Sequence, residues 1–111
     1  MISSQAGSAA WRAIQNAGAG GDYGHHMSRA ACNIGCALLG EELRSAGVPV
    51  GILHPGFNRT EMTQKYAHIW DKEGAVAPEV GARRVLHEAE RVCLATTGRF
   101  VNCEDGLQIP W

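Results

Sequence analysis

One stretch decides the fold: residues 23–56, which read YGHHMSRAACNIGCALLGEELRSAGVPVGILHPG. Its first part carries apolar residues at helical spacing, and Gly47 ends that pattern, which predicts a helix over 25–46. The apolar positions of that helix are Ala30, Ile34, Ala37, Leu38 and Leu43. A short apolar run between Gly47 and Pro55 then predicts a buried strand over 48–54 that ends in a turn.

The flanking segments extend this pattern in both directions. Residues 1–24 are rich in Gly, Ala and Ser without a clear period, and they predict a loop. Residues 55–77 mix charged and aromatic side chains and predict a surface flap with a possible short helix over 61–71. The remaining elements are a predicted helix opened by Pro78, a strand and a tail, over 78–95, 99–103 and 104–111. Alternating helices and strands predict one α/β domain with parallel neighbouring strands.

Composition excludes several classes of function. The 111 residues carry a net charge of −1 and no basic run, which argues against nucleic acid as a partner. The start of the chain has no basic and apolar signal pattern, and no segment has membrane-spanning length, so we expect a cytoplasmic protein without a membrane partner. In that compartment we expect the four cysteines to be reduced core thiols. They are Cys32, Cys36, Cys93 and Cys103.

Several motifs resemble one enzyme family. Residues 23–33 (YGHHMSRAACN) resemble the active-site helix of short-chain dehydrogenases/reductases, where Y-x-x-x-K precedes two small residues and often Asn. Residues 53–60 (LHPGFNRT) look like the family's P-G-x-x-x-T turn, which lies beside the nicotinamide. Residues 2–4 (ISS) resemble the end of the fifth strand, and residues 97–111 are similar to the last strand and tail of carbonyl-reductase-like members. The resemblance spans essentially the whole chain.

The resemblance implies a fold: the carboxyl-terminal portion of a Rossmann-like doubly wound parallel sheet. The amino-terminal dinucleotide-binding half, with its glycine-rich turn after the first strand, has no counterpart in the sequence. The glycines Gly18, Gly20 and Gly21 follow no strand and open no βαβ unit, so they predict a spacer rather than a phosphate-binding turn.

The resemblance also implies site residues. The catalytic serine, tyrosine and lysine positions fall on Ser4, His25 and Arg29, so two of the three are substituted. The implied cofactor, NAD(P), would contact the turn at Pro55, Gly56, Asn58 and Thr60, and the flap residues Tyr66 and Trp70 are candidates for substrate contacts. NAD cannot be distinguished from NADP, and a site without the glycine-rich half is poorly equipped to bind either.

The substitutions weaken the expected chemistry. An imidazole has a suitable pKa for a general acid, but it reaches less far than a phenol hydroxyl, and a cation one turn away at Arg29 favours its neutral form. Arginine keeps the positive charge of lysine but not its compact shape. Tyr23 lies two residues before His25, which places it on roughly the opposite side of a helix.

For other residues a structural role is a better interpretation than a functional one. His25, Cys32 and Cys36 share a helix face, but a single helix rarely closes a zinc tetrahedron, so core packing is the better interpretation and we expect no metal. His54, at the end of a strand, is expected to be a structural group with satisfied hydrogen bonds.

Three hypotheses about function follow. The first is a short-chain oxidoreductase acting on a small carbonyl or alcohol, truncated and weakly active or inactive alone, in effect a pseudoenzyme. The second is a non-catalytic dimerisation or interaction module, since the small residues Gly35, Cys36 and Gly40 of helix 25–46 would allow a homo-oligomer to pack closely. The third is the product of a truncated gene.

Overall fold

The computed structural model describes all 111 residues, as an α/β arrangement around a small parallel sheet. Three α-helices are present: α1 (Ala9–Gln15), α2 (Tyr23–Arg44) and α3 (Pro78–Glu90). Two strands, β1 (Ile52–His54) and β2 (Phe100–Asn102), pair in parallel with Leu53 opposite Val101. Two 3-10 helices, Gln5–Gly7 and Glu61–Ile69, complete the secondary structure.

The first three residues, here called the edge segment (Met1–Ser3), extend the sheet on the far side of β1. Ile2 bridges Leu53 in parallel, and the Ser3 amide donates to the Leu53 carbonyl at 2.8 Å. On the opposite side, the tail runs antiparallel to β2 through a bridge between Val101 and Gln108. Four adjacent chain segments therefore form the sheet, although only two are long enough to be strands.

The helices cover the two faces of this sheet. Side chains alternate between faces along a strand: in the edge segment, Ser3 is directed to α2, whereas Ile2 is directed to α3. The buried core lies on the α2 face and consists of Cys36, Ile52, Phe100 and Ile109. None of the helices combines the length and the apolar character needed to cross a membrane.

The amino-terminal segment differs most from the sequence-based prediction. Residues 1–24, expected as a loop, contain the edge segment, a 3-10 turn and α1. The Ser8 hydroxyl accepts the Trp11 amide as a helix cap at 3.1 Å, and it also donates to the Pro110 carbonyl at 2.5 Å. Because the second contact joins residues 102 positions apart, no local sequence pattern could indicate it.

The other elements are present with shifted ends. Helix α2 begins two residues earlier than the predicted 25–46, because Asp22 adopts a left-handed conformation (φ 48°) immediately before it. The strand predicted over 48–54 is shorter, since the Val50 amide donates to the Thr97 hydroxyl rather than to a strand. The helix predicted over 78–95 ends at Glu90, and the strand over 99–103 shortens to Phe100–Asn102. The flap over 55–77 contains a 3-10 helix.

Candidate active site

Polar residues gather where the parallel segments end. The edge segment leads into Ser4, β1 ends at His54 and leads into the Pro55-Gly56 turn, and β2 ends at Asn102. In open parallel sheets, ligands bind outside the carboxyl ends of the strands. The carboxyl ends of these parallel segments are therefore the candidate active site.

Ser4 lies in a turn that packs closely on α2. Its hydroxyl oxygen accepts the Ala6 amide at 3.1 Å, which caps the first 3-10 turn. Within that turn, Gly7 has no room for a side chain: a Cβ atom would lie 2.5 Å from Nδ2 of Asn33 and 2.6 Å from the carbonyl carbon of Arg29. The fold thus holds the Ser4 turn against the part of α2 that carries Arg29, despite the position of Ser4 near the start of the chain.

On α2, His26 and Arg29 face inward while His25 faces solvent. Arg29 is half-buried, and its Nε has no hydrogen-bond partner. The neighbouring His26 is also half-buried and lies 3.5 Å from an Nη atom of Arg12 on α1. His25 itself is exposed, with its ring edge-on to that of His26 at 5.8 Å. The imidazole that points toward neighbouring elements is therefore that of His26, which the family register does not select.

Tyr23 lies on the outer side of α2. It is 69% exposed, and its hydroxyl lies over Gly20, where a Cβ atom would approach within 2.4 Å. The sequence predicts Tyr23 on roughly the opposite side of the helix from His25, and in the structure both side chains are exposed.

The turn after β1 is closed by its own side chains. The Asn58 amide donates to the carbonyls of Pro55 and Gly56, at 3.2 and 3.1 Å, and Gly56 adopts a φ of 83° that favours glycine. The Thr60 amide donates to the Thr63 hydroxyl at 3.0 Å in a capping box. The side-chain amide of Asn58 and the backbone amide of Thr60 are thus already engaged, whereas the buried Oδ1 of Asn58 has no partner.

The two aromatic candidates of the flap have different surroundings. Tyr66 is 38% exposed, and the Lys65 ammonium lies 4.8 Å from its ring centre. Contact with Tyr66, and to a smaller extent the charge of Asp22, raises the pKa of Lys65. Trp70 is half-buried beneath the Arg59 guanidinium, 6.0 Å away, and its indole N–H has no acceptor.

His54 is buried at the end of β1 without a hydrogen bond to either ring nitrogen. The expectation that its polar atoms are satisfied was wrong. Burial, and then the nearby Arg12 charge, lower the pKa of His54 from 6.5 to about 4, while Asp105 opposes the shift. The imidazole is therefore neutral near pH 7. Because Arg12 and Asp105 are distant in sequence, no local motif indicates this environment.

The cysteines are free thiols with different exposure. Cys36 and Cys103 are buried, and burial raises the pKa of both, to about 11 for Cys103. Cys93 is instead exposed, so it is not a core thiol as expected. No group of three or more His, Cys, Asp and Glu side chains is arranged to hold a metal ion.

An apolar groove of about 460 Å³ runs between α3 and the edge segment. Its walls are Ile2, the turn residues Pro55, Asn58 and Thr60, and the α3 residues Ala82, Val85, Leu86 and Ala89. One end of this groove thus coincides with the predicted cofactor-contacting turn.

Parallel strands covered by helices on both faces, with polar residues at their carboxyl edge, define a protein of the α/β class. Two carbonyl reductases are among the solved structures that are similar to it. The carbonyl reductase Sniffer of Drosophila melanogaster superposes with a TM-score of 0.75 at 25% identity, over 99% of this chain and 39% of its own. The NADPH-bound carbonyl reductase from chicken fatty liver gives a TM-score of 0.71 at 23% identity, over 99% of this chain and 41% of its own.

Sequence comparison also finds similarity to known proteins over most of the chain. A 1-hydroxy-2-glutathionyl-2-methyl-3-butene dehydrogenase of Rhodococcus sp. (strain AD45) is 29% identical over 92 residues, which are 83% of this chain and 39% of that protein. The C-signal protein of Myxococcus xanthus is 30% identical over 92 residues, 83% of this chain and 51% of that protein. No family model matches the chain.

The chain is therefore a relative of the short-chain dehydrogenases/reductases, of the carbonyl-reductase-like kind. It spans 39% to 51% of the length of the proteins it matches. The resemblance inferred from the sequence motifs is confirmed over that part of their length.

Proposed function

We propose that the chain is the substrate-side portion of an NAD(P)-dependent oxidoreductase acting on a small carbonyl or alcohol, and that alone it has little or no activity. One observation carries this proposal: the Ser4 turn packs against α2 beside Arg29, at the edge where the Pro55-Gly56 turn also lies. Unrelated α/β proteins have no reason to combine these three features in this order.

The roles follow from the chemistry of each group. The Ser4 hydroxyl oxygen accepts one amide, and its proton remains available to orient a carbonyl oxygen. Arg29 would supply a fixed positive charge, and its buried, unpaired Nε is a donor that a ribose hydroxyl would satisfy. His25 would protonate the substrate oxygen, but its outward orientation places the imidazole poorly for that step.

The residues fit the cofactor only at its nicotinamide end. When bound, NAD(P) would supply the hydride. Arg29 and the turn over residues 55–60 offer contacts there, yet the Asn58 side-chain amide and the Thr60 backbone amide are already hydrogen-bonded within the protein. A pyrophosphate needs a run of free backbone N–H groups at a helix amino terminus. The turn over residues 55–60 leads into a 3-10 helix rather than an α-helix, so we expect weak cofactor binding and little turnover by this chain alone.

Two measurements test the proposal together. Purified protein is given NADPH and a panel of reactive carbonyls, and absorbance reports oxidation of the cofactor. We expect no rate above buffer, and clear saturable oxidation would contradict the proposal that the chain alone is inactive.

NADPH binding is then titrated with the wild type, Arg29→Ala and, as control, the exposed Arg83→Ala. We expect weak binding that only Arg29→Ala reduces; equal binding by all three would contradict the role of Arg29.

A second candidate is a dimerisation module, because α2 presents an apolar stripe to solvent. The stripe consists of Tyr23, Met27, Ile34 and Leu38, which are 69%, 69%, 61% and 67% exposed. These residues follow one side of the helix at steps of four or seven, and a second α2 would cover them. The covered stripe would form a homodimer without any catalytic role.

Sedimentation separates this candidate from a monomeric protein. We expect a concentration-dependent dimer in the wild type and a monomer in Leu38→Arg. The equally exposed Leu107→Arg, in the tail, serves as control and should still dimerise. A wild-type monomer at the highest concentration would rule the dimerisation module out.

A further inference from the structure

Two half-buried arginines lack an anionic partner. Arg12 and Arg29 form no salt bridge, and the Nε atom of each is buried without a hydrogen bond. The other arginines without a carboxylate partner are exposed, so water can solvate them: Arg83, Arg91 and Arg99. A charge removed from water is costly unless it is paired. The two half-buried guanidiniums therefore carry positive charge that the protein itself does not neutralise.

Neutral groups hold the Arg12 side chain in place. One Nη atom donates to the Asn16 side-chain carbonyl at 3.0 Å and lies 3.5 Å from Nε2 of His26, and the other donates to the Gln15 side chain. Nδ1 of His26 lies 2.9 Å from the Asp22 carbonyl, which can only accept, so the neutral ring carries its proton on Nδ1. Nε2 is then an acceptor for Arg12. The guanidinium is thus oriented by three uncharged acceptors.

The charge of Arg12 lies beside the candidate active site. His26, which Arg12 approaches, is one helical turn from Arg29 on α2. At the end of β1, the Arg12 charge also acts on His54 and contributes to the lowered pKa of that ring. Asp105 opposes this shift but forms no salt bridge with Arg12. Arg12 therefore adjoins both the α2 side and the β1 side of the site.

We propose that Arg12 binds a carboxylate of the substrate, so that the small carbonyl or alcohol is an oxo acid or a hydroxy acid. The inference rests on the proposed function, since it names the class of substrate for the same site. A carboxylate would replace the neutral acceptors of Arg12, because a charge-assisted pair is about twice as strong as a neutral hydrogen bond. The unpaired Nε of Arg12 would become one of the two parallel donors of that pair.

The test compares two probes of nearly the same shape, without cofactor. Pyruvate carries a carboxylate, which pyruvamide replaces with an uncharged amide. Each is titrated into the wild-type protein while NMR follows the Nε–H resonance of Arg12. We expect pyruvate to shift that resonance saturably and to bind at least about tenfold more tightly than pyruvamide. Equal binding of the two probes, or a resonance that pyruvate leaves unchanged, would overturn the proposal.

Two variants identify the arginine responsible. Arg12→Gln removes the charge but keeps a polar side chain, and Arg83→Gln makes the same change at an exposed arginine as the control. We expect Arg12→Gln to lose the preference for pyruvate and Arg83→Gln to retain it, with circular dichroism of both matching the wild type. A preference retained in Arg12→Gln, or lost equally in both variants, would contradict the assignment to Arg12. Should Arg12→Gln fail to fold, the comparison of probes in the wild type still decides.

Inorganic phosphate is the competing anion. Tighter binding of phosphate than of pyruvate at the Arg12 resonance would overturn the carboxylate as the ligand. Weaker binding would support it, because a planar carboxylate then fits the guanidinium better than a tetrahedral anion does.

The NADPH titration with Arg29→Ala contains no carboxylate probe, so the two proposals can fail independently. Selective binding of pyruvate, together with NADPH binding that Arg29→Ala leaves unchanged, would support the Arg12 site and contradict the role of Arg29 in the proposed function. The opposite pair of results would contradict only the Arg12 site.

Discussion

The buried hydroxyl of Ser3 donates a hydrogen bond to the side-chain carbonyl of Asn33, which joins the edge segment to helix α2. Both side chains are almost fully buried, at 5% and 1% exposure. Because Ser3 immediately precedes the candidate catalytic Ser4, this contact also fixes the position of the Ser4 turn. The stability of the site therefore depends on a polar pair in the protein interior.

Asn33→Ala should destabilise the protein by about 1 to 3 kcal/mol, since it leaves the Ser3 hydroxyl buried without a partner. Urea unfolding measures the loss. The control is Ser28→Ala on the same helix, where an exposed hydroxyl bonds only to the His25 carbonyl, and it should change stability by less than about 0.5 kcal/mol. Equal effects of the two substitutions would show that the Ser3–Asn33 contact does not contribute to the stability of the folded protein.

Stability should also fall on mild acidification because of His54. Its pKa in the folded protein, about 4, lies below the 6.5 of an ordinary histidine, so folding favours the neutral ring. The stabilisation is complete above pH 6.5 and is lost as the pH falls toward 4. It amounts to about 3 kcal/mol at about 1.4 kcal/mol per pKa unit. Arg12, which also lies 3.5 Å from a ring nitrogen of His26, repels the protonated ring, and Asp105 attracts it.

Unfolding free energies measured between pH 7.5 and about 4 in the wild type and His54→Gln test this expectation. The wild type should lose stability steeply over that range, and the variant should lose much less. His68→Gln, which removes an exposed histidine of the flap, is the control and should retain the wild-type slope. A His54→Gln slope equal to that of the wild type would contradict the assignment.

The sequence predicted some of these features and not others, for physical reasons. The order of α2, β1, α3 and β2 followed from apolar spacing and from Gly47 and Pro78, which act locally. Helix α1 was missed because Ser8 is fixed by Pro110, and the environment of His54 because Arg12 and Asp105 reach it only in the folded chain.

The candidate site was predictable through its family motifs, which locate Ser4, Arg29 and the Pro55-Gly56 turn. Their approach to one edge follows from the parallel order of the sheet. No motif encodes the exposed position of His25 or the half-buried position of His26, which lies 3.5 Å from Arg12 of α1. The catalytic roles of Ser4, His25 and Arg29 stay predictions.

Restoring the family residues should not restore activity. The double variant His25→Tyr with Arg29→Lys would recover the phenol and the ammonium, but the side chain at position 25 would still lie on the exposed side of α2. We expect NADPH oxidation at the buffer rate with every carbonyl tested, in a variant whose circular dichroism matches the wild type. Saturable oxidation by the double variant would show that His25 and Arg29 alone account for the lack of activity in the wild type.

Two glycines in helix interiors should respond oppositely to alanine. At Gly81 a Cβ atom would lie 1.9 Å from Oδ1 of Asn58, whose amide is held by the turn carbonyls. Gly81→Ala should therefore cost about 1 to 3 kcal/mol and disturb the Pro55-Gly56 turn. At Gly35 of α2 no atom lies within 4 Å, so Gly35→Ala should stabilise the protein by about 0.5 to 1 kcal/mol. Thermal unfolding distinguishes the two; a stabilising Gly81→Ala would mean that Asn58 can move freely.

The tail should be an integral part of the core rather than an appendage. Ile109 is fully buried with Ile52 and Phe100, and its amide donates to the Phe100 carbonyl at 2.8 Å. Ile109→Ala keeps that backbone bond but empties a core position, so it should cost about 2 to 5 kcal/mol in urea unfolding. Leu107→Ala, two residues earlier and 66% exposed, is the matched control and should cost less than about 0.5 kcal/mol. If both substitutions were equally mild, the tail would have to be detached from the sheet in solution.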